Sequence, residues 1–401
     1  MERIIIIGAG QAGASCVAKL RAEGFEGSIT LIGDEPVPPY QRPPLSKAYL
    51  LGEMELARLF LRPEAWYGEH GIDLRLGAPV DGIDANAKTL NVGGDVLAYD
   101  ALVLATGSTP RRLPAAIGGD LGGVHVVRTL ADVDGMAPEV AEGRHALIVG
   151  GGYIGLEAAA VARKRGMEVT LIEAAPRILG RVAAPETADY FRALHTANGV
   201  DIREGLGLDR LVGEGCVSGA VLADGTEIAV DMVIVGIGIT PNDGVAKMAG
   251  VTLDNGIATD IQGRTSDPNI WAAGDCASLP FRGERIRLES VQNAIDQAEA
   301  VARNILGAGE DYVPKPWFWS DQYDVKLQIA GLNTGFDQVV IRDGGSMRSH
   351  WYYADGTLLA VDAMNDPRGY MIGKRMIEAG KTPPPEVVAD PESDLKALLK
   401  A

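Results

Sequence analysis

An α/β fold with two parallel-sheet domains is predicted by three features of the sequence. A glycine pattern, GxGxxG, occurs twice, in IIIIGAGQAG and in ALIVGGGYIG. Each copy follows an apolar run typical of a buried parallel strand and opens a helix-like segment. An acidic residue then ends the next apolar run, in SITLIGDE and in EVTLIEAA. One glycine pattern alone would be weak evidence, but two complete strand–turn–helix–strand units indicate two Rossmann-like domains.

Each glycine pattern carries the residues that an adenine dinucleotide requires. One glycine makes the tight turn, one lets the backbone approach a pyrophosphate, and one lets helix and strand pack closely. The helix N-terminus offers free N–H groups to the phosphates, and the acidic side chain accepts the ribose hydroxyls. Two sites in one chain suggest a bound flavin and an exchanging nicotinamide; the alternative is two chance glycine turns. The residues are Gly8, Gly10, Gly13, Asp34 and Glu35 in the first copy and Gly150, Gly152, Gly155 and Glu173 in the second.

The composition narrows the class of protein. A chain of 401 residues, 46% hydrophobic and 5% aromatic, is typical of a well-packed α/β protein of two or three domains. The formal net charge of −17 argues against nucleic-acid binding and against docking on an anionic membrane. No run approaches the roughly 20 apolar residues of a membrane span. The initial IIII is too short for the core of a signal peptide, so we expect a cytoplasmic protein.

The cysteines and histidines argue against a disulfide mechanism and against a metal site. Cys16, Cys216 and Cys276 are far apart, and none belongs to a CxxC motif. We therefore expect no redox-active disulfide and interpret all three as small buried residues. The five histidines show no spacing typical of metal ligands, so no metal is expected.

A second internal repeat helps to place the domains. Residues 94–107, GDVLAYDALVLATG, resemble residues 225–238, GTEIAVDMVIVGIG, and each segment follows one glycine pattern. This indicates one nucleotide-binding plan used twice, with the second copy inserted into the first. The predicted domains are 1–112 with 245–315, then 113–244, then 316–401. After the inserted domain the chain returns to the first domain, with a predicted strand at 270–277 and a predicted helix within 287–306. The last domain is predicted to contain strands, a helix near 367–379 and an extended tail, PPPEVVADPESD.

Several longer motifs are similar to those of a known family. The segments PYQRPPLSK, ATGSTPR, GGGYIGLE, GIGITPN, AAGDCA and PWFWSDQYD resemble the FAD-dependent ferredoxin reductases of bacterial oxygenase systems, over residues 1 to about 375. The resemblance implies a glutathione-reductase-like fold with an FAD domain (1–112 and 245–315), an NAD domain (113–244) and a C-terminal α+β domain (316–401). It places FAD in the first glycine pattern and NAD in the second.

The resemblance also implies roles for residues near FAD. Arg42 and Lys47, in a proline-stiffened loop, would approach FAD, with Lys47 near the flavin ring; the alternative is a solvated basic loop. Asp275 would bond the ribityl or phosphate region, unless it is only a turn or cap residue. The helix from Val291 would direct its N-terminus at the flavin's pyrimidine edge. The further FAD contacts implied are Val80, Ala105 and Arg128.

Three residues are implied to act near the reacting rings. Glu157 would pair with Lys47 beside the flavin, although an ordinary first-turn glutamate is the alternative. Tyr153 would meet the nicotinamide ring, or else be a core tyrosine. Trp319, with its neighbour Trp317, would close the flavin site, or else pack at a domain boundary. The catalytic set implied is Lys47, Glu157 and Trp319, and Gly238 joins the NAD contacts.

The residues after the second acidic position favour NADH over NADPH. Glu173 can hold a ribose 2′-hydroxyl but would repel a 2′-phosphate, and the next two residues are alanines. Arg177 is the nearest cation that could serve a phosphate instead.

The activity implied is electron transfer from NADH through FAD to a 2Fe–2S ferredoxin that serves a monooxygenase or a ring-hydroxylating dioxygenase, in a monomer or weak dimer. No side chain need act as a nucleophile, because the cofactor supplies the chemistry. The alternatives are a rubredoxin reductase or NADH oxidase, and a signalling flavoprotein similar to apoptosis-inducing factor. The missing cysteine pair argues against a disulfide reductase.

Overall fold

The chain forms two units in a computed structural model that describes residues 1–399. The first unit consists of Met1–Gln41, Met54–Thr109 and Ile239–Pro316. The second consists of Arg42–Glu53, Pro110–Gly238 and the segment from Trp317 onward. Among residues 1–399, no helix is both long enough and apolar enough to cross a membrane.

The first unit is built on a parallel sheet of five strands. Its helix Gln11–Ala22 packs against the helix Val291–Ile305. The apolar side chains of this helix pair and of one sheet face share a core that includes Ile4, Leu20 and Val301. The strands Arg3–Ile7 and Ala101–Leu104 are mostly apolar because both faces of such a sheet are covered. Their order across the sheet is Ile270–Ala272, Ala101–Leu104, Arg3–Ile7, Ser28–Ile32 and Ile72–Arg75.

Smaller elements complete the first unit. Its other helices are Leu56–Leu59, Glu64–Glu69 and Gly244–Ala249. One antiparallel sheet contains Val80–Asp84, Thr89–Val92 and Asp95–Ala98. A second small sheet contains Ile257–Ala258, Ala277–Phe281 and Glu284–Ile286, and the short strands Ser108–Pro110 and Ile239–Pro241 pair with each other.

The second unit repeats the plan of the first. The strand His145–Val149 leads through the second glycine pattern into the helix Tyr153–Lys164, as Arg3–Ile7 leads into Gln11–Ala22. Its parallel sheet has the order Val200–Glu204, Glu168–Glu173, His145–Val149, Met232–Val235 and Val124–His125. The other elements of this part are the π-helical turn Leu45–Tyr49, the helices Leu130–Met136 and Pro185–Ala197, the 3-10 turns Ala115–Ile117 and Ala137–Glu139, and the antiparallel strands Leu208–Val212, Gly219–Leu222 and Glu227–Ala229.

The C-terminal part of the second unit is an antiparallel sheet with helices. The strands follow the order Trp317–Gln322, Val325–Gly331, Thr357–Met364, Arg348–Ala354 and Gln338–Asp343. The helix Pro367–Glu378 packs on this sheet, as the sequence predicted. A 3-10 turn, Ala397–Leu399, ends the described chain.

Two sequence-based expectations are wrong. The segment expected to be an extended tail contains a short helix, Pro385–Ala389, because Pro385 is compatible with a first helical turn and Val388 is fully buried in the C-terminal core. Cys216, expected to be buried, is exposed, whereas Cys16 and Cys276 are buried. Cys216 makes an isolated bridge with Gly122 and does not lie within one of the strands.

A buried polar cluster joins the helix Pro185–Ala197 to the C-terminal sheet. The Thr187 hydroxyl donates to Asp362 Oδ2 at 2.8 Å and lies 2.8 Å from His350 Nδ1. The Tyr352 hydroxyl donates to the same carboxylate oxygen. Burial raises the pKa of the Asp362 carboxyl to about 6 and lowers the pKa of His350 to about 4. The carboxyl of Asp362 therefore destabilises the folded state once it is ionised.

Replacing Asp362 with Asn should change how stability depends on pH. The folded pKa of about 6 exceeds the ordinary 3.8, so the native protein loses stability as pH rises through this interval. Relative to native protein, Asp362→Asn should therefore gain up to about 3 kcal/mol between about pH 4 and pH 7. Urea unfolding across this range measures the difference. The exposed Asp355→Asn is the control, and a pH-independent difference for Asp362→Asn would contradict the assignment.

Candidate functional site

Close backbone packing requires two of the glycines in the first glycine loop. Gly8 has φ +115°, and a Cβ there would lie 2.1 Å from the Ala105 carbonyl oxygen. A Cβ on Gly13 would lie 2.0 Å from the Gly8 carbonyl oxygen. A Cβ on Gly10, in contrast, would meet no atom within 4 Å. Packing within the unit therefore does not require Gly10, which leaves its backbone open for the close approach of a ligand.

In the second glycine loop, too, packing requires two of the glycines and leaves the third open. A Cβ on Gly150 would lie 2.4 Å from the Gly236 carbonyl oxygen, and one on Gly155 would lie 2.1 Å from the Gly150 carbonyl oxygen. Gly152 again has no atom within 4 Å of such a Cβ. Gly238, at φ +104°, accepts a hydrogen bond from the Arg111 backbone N–H at 2.9 Å. Each unit thus contains a turn with the features of a pyrophosphate cradle.

The acidic residues of the two loops differ in their surroundings. Asp34 is exposed, and Glu35 accepts a hydrogen bond from the Tyr40 hydroxyl at 2.6 Å. Glu173 accepts hydrogen bonds from the backbone N–H groups of Gly151 at 2.8 Å and Ala175 at 2.7 Å. Glu173 therefore also fixes the second glycine loop, a structural role that the sequence did not indicate.

The other candidate residues of the first unit lie at ends of strands and helices. Ala105 is buried directly after a strand of the parallel sheet, and Val80 begins an antiparallel strand. Asp275 accepts a hydrogen bond from the Ser108 hydroxyl at 2.9 Å. Val291 is the first residue of its helix, where Ser290 caps the N-terminus by accepting from the Asn293 N–H at 3.1 Å. These positions fit the roles that the family resemblance implies, and those roles stay predictions.

In the second unit, the proline-rich loop is fixed at both of its basic residues. Arg42 donates from Nη1 to the Arg128 carbonyl oxygen at 2.7 Å, which brings these two candidates together. Lys47 lies in the π-helical turn Leu45–Tyr49, with non-helical angles of φ −131° and ψ −111°. The loop therefore holds Lys47 in an irregular backbone that the prolines help to define.

Lys47 and Glu157 form a buried ion pair. Lys47 Nζ lies 3.0 Å from Glu157 Oε1, and the residue Glu157 is 6% exposed. Two hydroxyl groups complete the carboxylate's surroundings: Ser320 donates to Oε1 at 2.6 Å, and Ser46 donates to Oε2 at 3.2 Å. The pKa of Glu157 is raised, because the effect of burial exceeds the lowering effects of Lys47 and the two serines. Neither serine was predicted as a site residue from the sequence, although Ser46 lies in the motif PYQRPPLSK and Ser320 in the motif PWFWSDQYD.

Aromatic side chains line the same part of the second unit. Tyr153, the first residue of its helix, has its ring 5.1 Å from that of Phe318. Its hydroxyl is buried and has no hydrogen-bond partner among residues 1–399. Trp319 is half-buried, with its ring 5.6 Å from that of Trp317. Phe318 was not among the sequence candidates. Because residues alternate along a strand, its proximity to Tyr153 was not evident from the motif.

Two Rossmann-like units, each with a complete glycine loop, are the fold of a dinucleotide-dependent oxidoreductase. A family model described as pyridine nucleotide-disulphide oxidoreductase matches residues 2–298, and one described as reductase C-terminal matches residues 317–399. The chain belongs to the pyridine nucleotide-disulphide oxidoreductase family and, within it, to the ferredoxin reductases of oxygenase systems. The resemblance, fold class and enzyme class predicted from the sequence are confirmed.

The similarity to individual proteins extends over nearly the whole chain. Rhodocoxin reductase of Rhodococcus erythropolis is 42% identical over 99% of this chain and 94% of its own length. Rubredoxin-NAD(+) reductase of Pseudomonas putida is 40% identical over 91% of this chain and 96% of its own length. The reductase in the covalent putidaredoxin reductase–putidaredoxin complex has a TM-score of 0.96 at 37% identity, covering 100% of this chain and 98% of that chain.

Two glycine substitutions should separate packing from ligand binding. Gly13→Ala places a methyl group 2.0 Å from a carbonyl oxygen, so stability should fall by about 1–3 kcal/mol. Gly10→Ala meets no atom and should leave the ligand-free protein as stable as the native one, yet it should lower dinucleotide content. Urea unfolding of stripped protein and nucleotide analysis of isolated protein measure the two effects. Full dinucleotide content in Gly10→Ala would contradict a cradle at this loop.

Proposed function

We propose that this chain is an NADH-dependent flavoprotein that passes electrons to a 2Fe–2S ferredoxin of an oxygenase system. The observation that carries the proposal is the repeated cradle, in which Gly10 and Gly152 each leave an open backbone approach. One cradle suits a resident FAD and the other an exchanging nicotinamide. Family membership supports the same arrangement.

The residues of the first unit suit FAD. The backbone at Gly8, Gly10 and Gly13 would hold the pyrophosphate, and Glu35 would accept from the ribose. Asp275, positioned by Ser108, would bond farther along the cofactor. Bound FAD would supply the redox chemistry, because a flavin takes up two electrons as a hydride and releases them singly.

The Lys47–Glu157 pair fixes the position of a positive charge, the Lys47 ammonium. Glu157 holds the lysine ammonium at 3.0 Å in a site where little water screens it. A positive charge in a low-dielectric site favours negative charge on a neighbouring group without any reorganisation. We propose that this ammonium stabilises the reduced state of the flavin ring. Trp319 and Tyr153 would shield the rings from water.

The surroundings of Glu173 support NADH over NADPH. Its oxygens already accept two backbone N–H groups, but a carboxylate can accept further hydrogen bonds from ribose hydroxyls. Arg177, the cation that could serve a 2′-phosphate, donates to the Ala183 carbonyl oxygen at 2.8 Å. That hydrogen bond holds the arginine within its own loop.

The relatives favour a ferredoxin as electron acceptor, with rubredoxin as the second candidate. One solved relative is a reductase covalently joined to putidaredoxin, and two other relatives are named rhodocoxin reductase and rubredoxin-NAD(+) reductase.

A pair of reduction assays distinguishes these two acceptors. The reduction rate of a 2Fe–2S ferredoxin should exceed that of a rubredoxin at equal concentration.

The isolated protein should contain one FAD per chain and should be bleached by NADH without oxygen. Absorbance spectra before and after anaerobic addition of NADH test this, and NADPH serves as the comparison. A correctly folded protein that contains no flavin would refute the proposal. A flavin that is bleached only by NADPH would refute the assignment of Glu173.

Glu173→Ala should weaken the use of NADH. Loss of one charge-assisted hydrogen bond is worth roughly 1.5–3 kcal/mol, which is about a 10- to 150-fold loss in kcat/KM for NADH. Adding Ala174→Arg should raise kcat/KM for NADPH. Asp209→Ala, which removes an exposed carboxylate of the same unit, is the control and should behave like the native enzyme. An unchanged kcat/KM for NADH in Glu173→Ala would exclude ribose recognition by this carboxylate.

A further inference from the structure

A row of buried polar side chains leads from the helix Pro185–Ala197 to Glu157. His195 Nε2 lies 2.8 Å from Gln322 Oε1. Gln322 donates from Nε2 to Ser320 Oγ at 3.1 Å, and Ser320 donates to Glu157 Oε1 at 2.6 Å. His195, Gln322 and Ser320 are each 0% exposed. The helices Pro185–Ala197 and Tyr153–Lys164 are thus linked, through the strand Trp317–Gln322, by three consecutive hydrogen bonds.

Every donor in this row points toward Glu157. The Gln322 carbonyl oxygen can only accept, so His195 must carry its proton on Nε2. Burial lowers the pKa of His195, so its ring is neutral and Nδ1 accepts. The Tyr323 hydroxyl, 3.4 Å from Nδ1, is then the donor to the ring. Because Ser320 already accepts from the Gln322 amide, its own proton is directed at the carboxylate.

The direction matters because burial raises the pKa of Glu157, so its carboxylate form depends on the donors around it. The groups bonded to its carboxyl are Lys47 and Ser46, from the loop, and Ser320, from the strand Trp317–Gln322. Of these three partners of Glu157, Lys47 is the one with a positive charge. Hydrogen bonds in series polarise one another, so a donor that is itself an acceptor donates more strongly. The buried row therefore adds to what Ser320 alone would contribute.

We infer that His195, Gln322 and Ser320 are positioning residues that stabilise the carboxylate form of Glu157 and direct it at Lys47. They act through Glu157 and do not themselves contact the reacting groups. The effect on Glu157 stands on the geometry alone, whereas its consequence for flavin reduction rests on the proposed function. The competing explanation is that these side chains only satisfy one another's hydrogen bonds inside a core.

Two substitutions at His195 separate these explanations. His195→Gln places an amide nitrogen near the position of Nε2 and keeps a donor to Gln322, whereas His195→Leu removes it. The titration of Glu157 is measured in the holoprotein by infrared difference spectra, with Glu157→Gln identifying its band. We expect His195→Leu to raise the pKa of Glu157 by about one pH unit, a tenfold change in its protonation constant. His195→Gln should leave the titration close to native.

A double-mutant cycle tests the path of the effect. In a Ser320→Ala background, His195→Leu should have no further effect on Glu157, because the connection is already broken. In a Ser46→Ala background, it should keep its full effect, because Ser46 bonds to the other oxygen. An equal effect of His195→Leu in both backgrounds would overturn the inference, as would an unchanged titration in folded His195→Leu protein. Thermal unfolding confirms that each variant is folded.

Flavin reduction is measured on the same variants. The pH profile of NADH-dependent reduction should shift in His195→Leu by the same interval as the infrared titration. If the titration shifts but NADH reduces no flavin in native protein, the proposed function fails and the positioning role stands. If NADH reduces the flavin and the titration of Glu157 is unmoved, the positioning role fails and the proposed function stands.

Discussion

The close approach of helix and strand at each glycine loop is the constraint on which the rest of the structure depends. At Gly13 and Gly155 a side chain of any size would collide with the carbonyl oxygen at the start of its own turn. Only with these contacts can the helix N-terminus stand directly above the end of the strand, with its N–H groups free. The repetition of this geometry in both units explains how one chain can bind two dinucleotides.

A second constraint follows from burying a carboxylate in the second unit. An ion removed from water must be paired and hydrogen-bonded, or it takes up a proton. Glu157 has one ammonium and two hydroxyl groups around it, supplied by a loop and by a C-terminal strand that are far apart in sequence. The ion pair therefore depends on three segments of the second unit: the loop with Ser46 and Lys47, the strand with Ser320, and the helix that carries Glu157.

The buried polar groups of the second unit fall into two sets with different consequences. Glu157 has a cation within reach, whereas Asp362 has only the hydroxyl groups of Thr187 and Tyr352. Neutral donors offset the cost of burying a charge less completely than a cation does, so the pKa of Asp362 is raised to about 6 and its protonated form is favoured below that pH. Polarity alone therefore does not distinguish a candidate redox site from a structural cluster; the presence of a partner charge does.

The sequence by itself determined the fold class, the two glycine loops and the family, because these depend on local spacing. A turn that needs Gly13 or Gly155 is encoded within a few residues, and so is the apolar run before it. The tertiary structure alone decided the short helix at Pro385–Ala389, the exposure of Cys216 and the partners of Glu157. Each of these depends on what packs against a residue from a distant part of the chain. Ser320 shows the difference, since the motif PWFWSDQYD identified its segment, but only the folded chain brings its hydroxyl to Glu157 and sets the direction in which it donates.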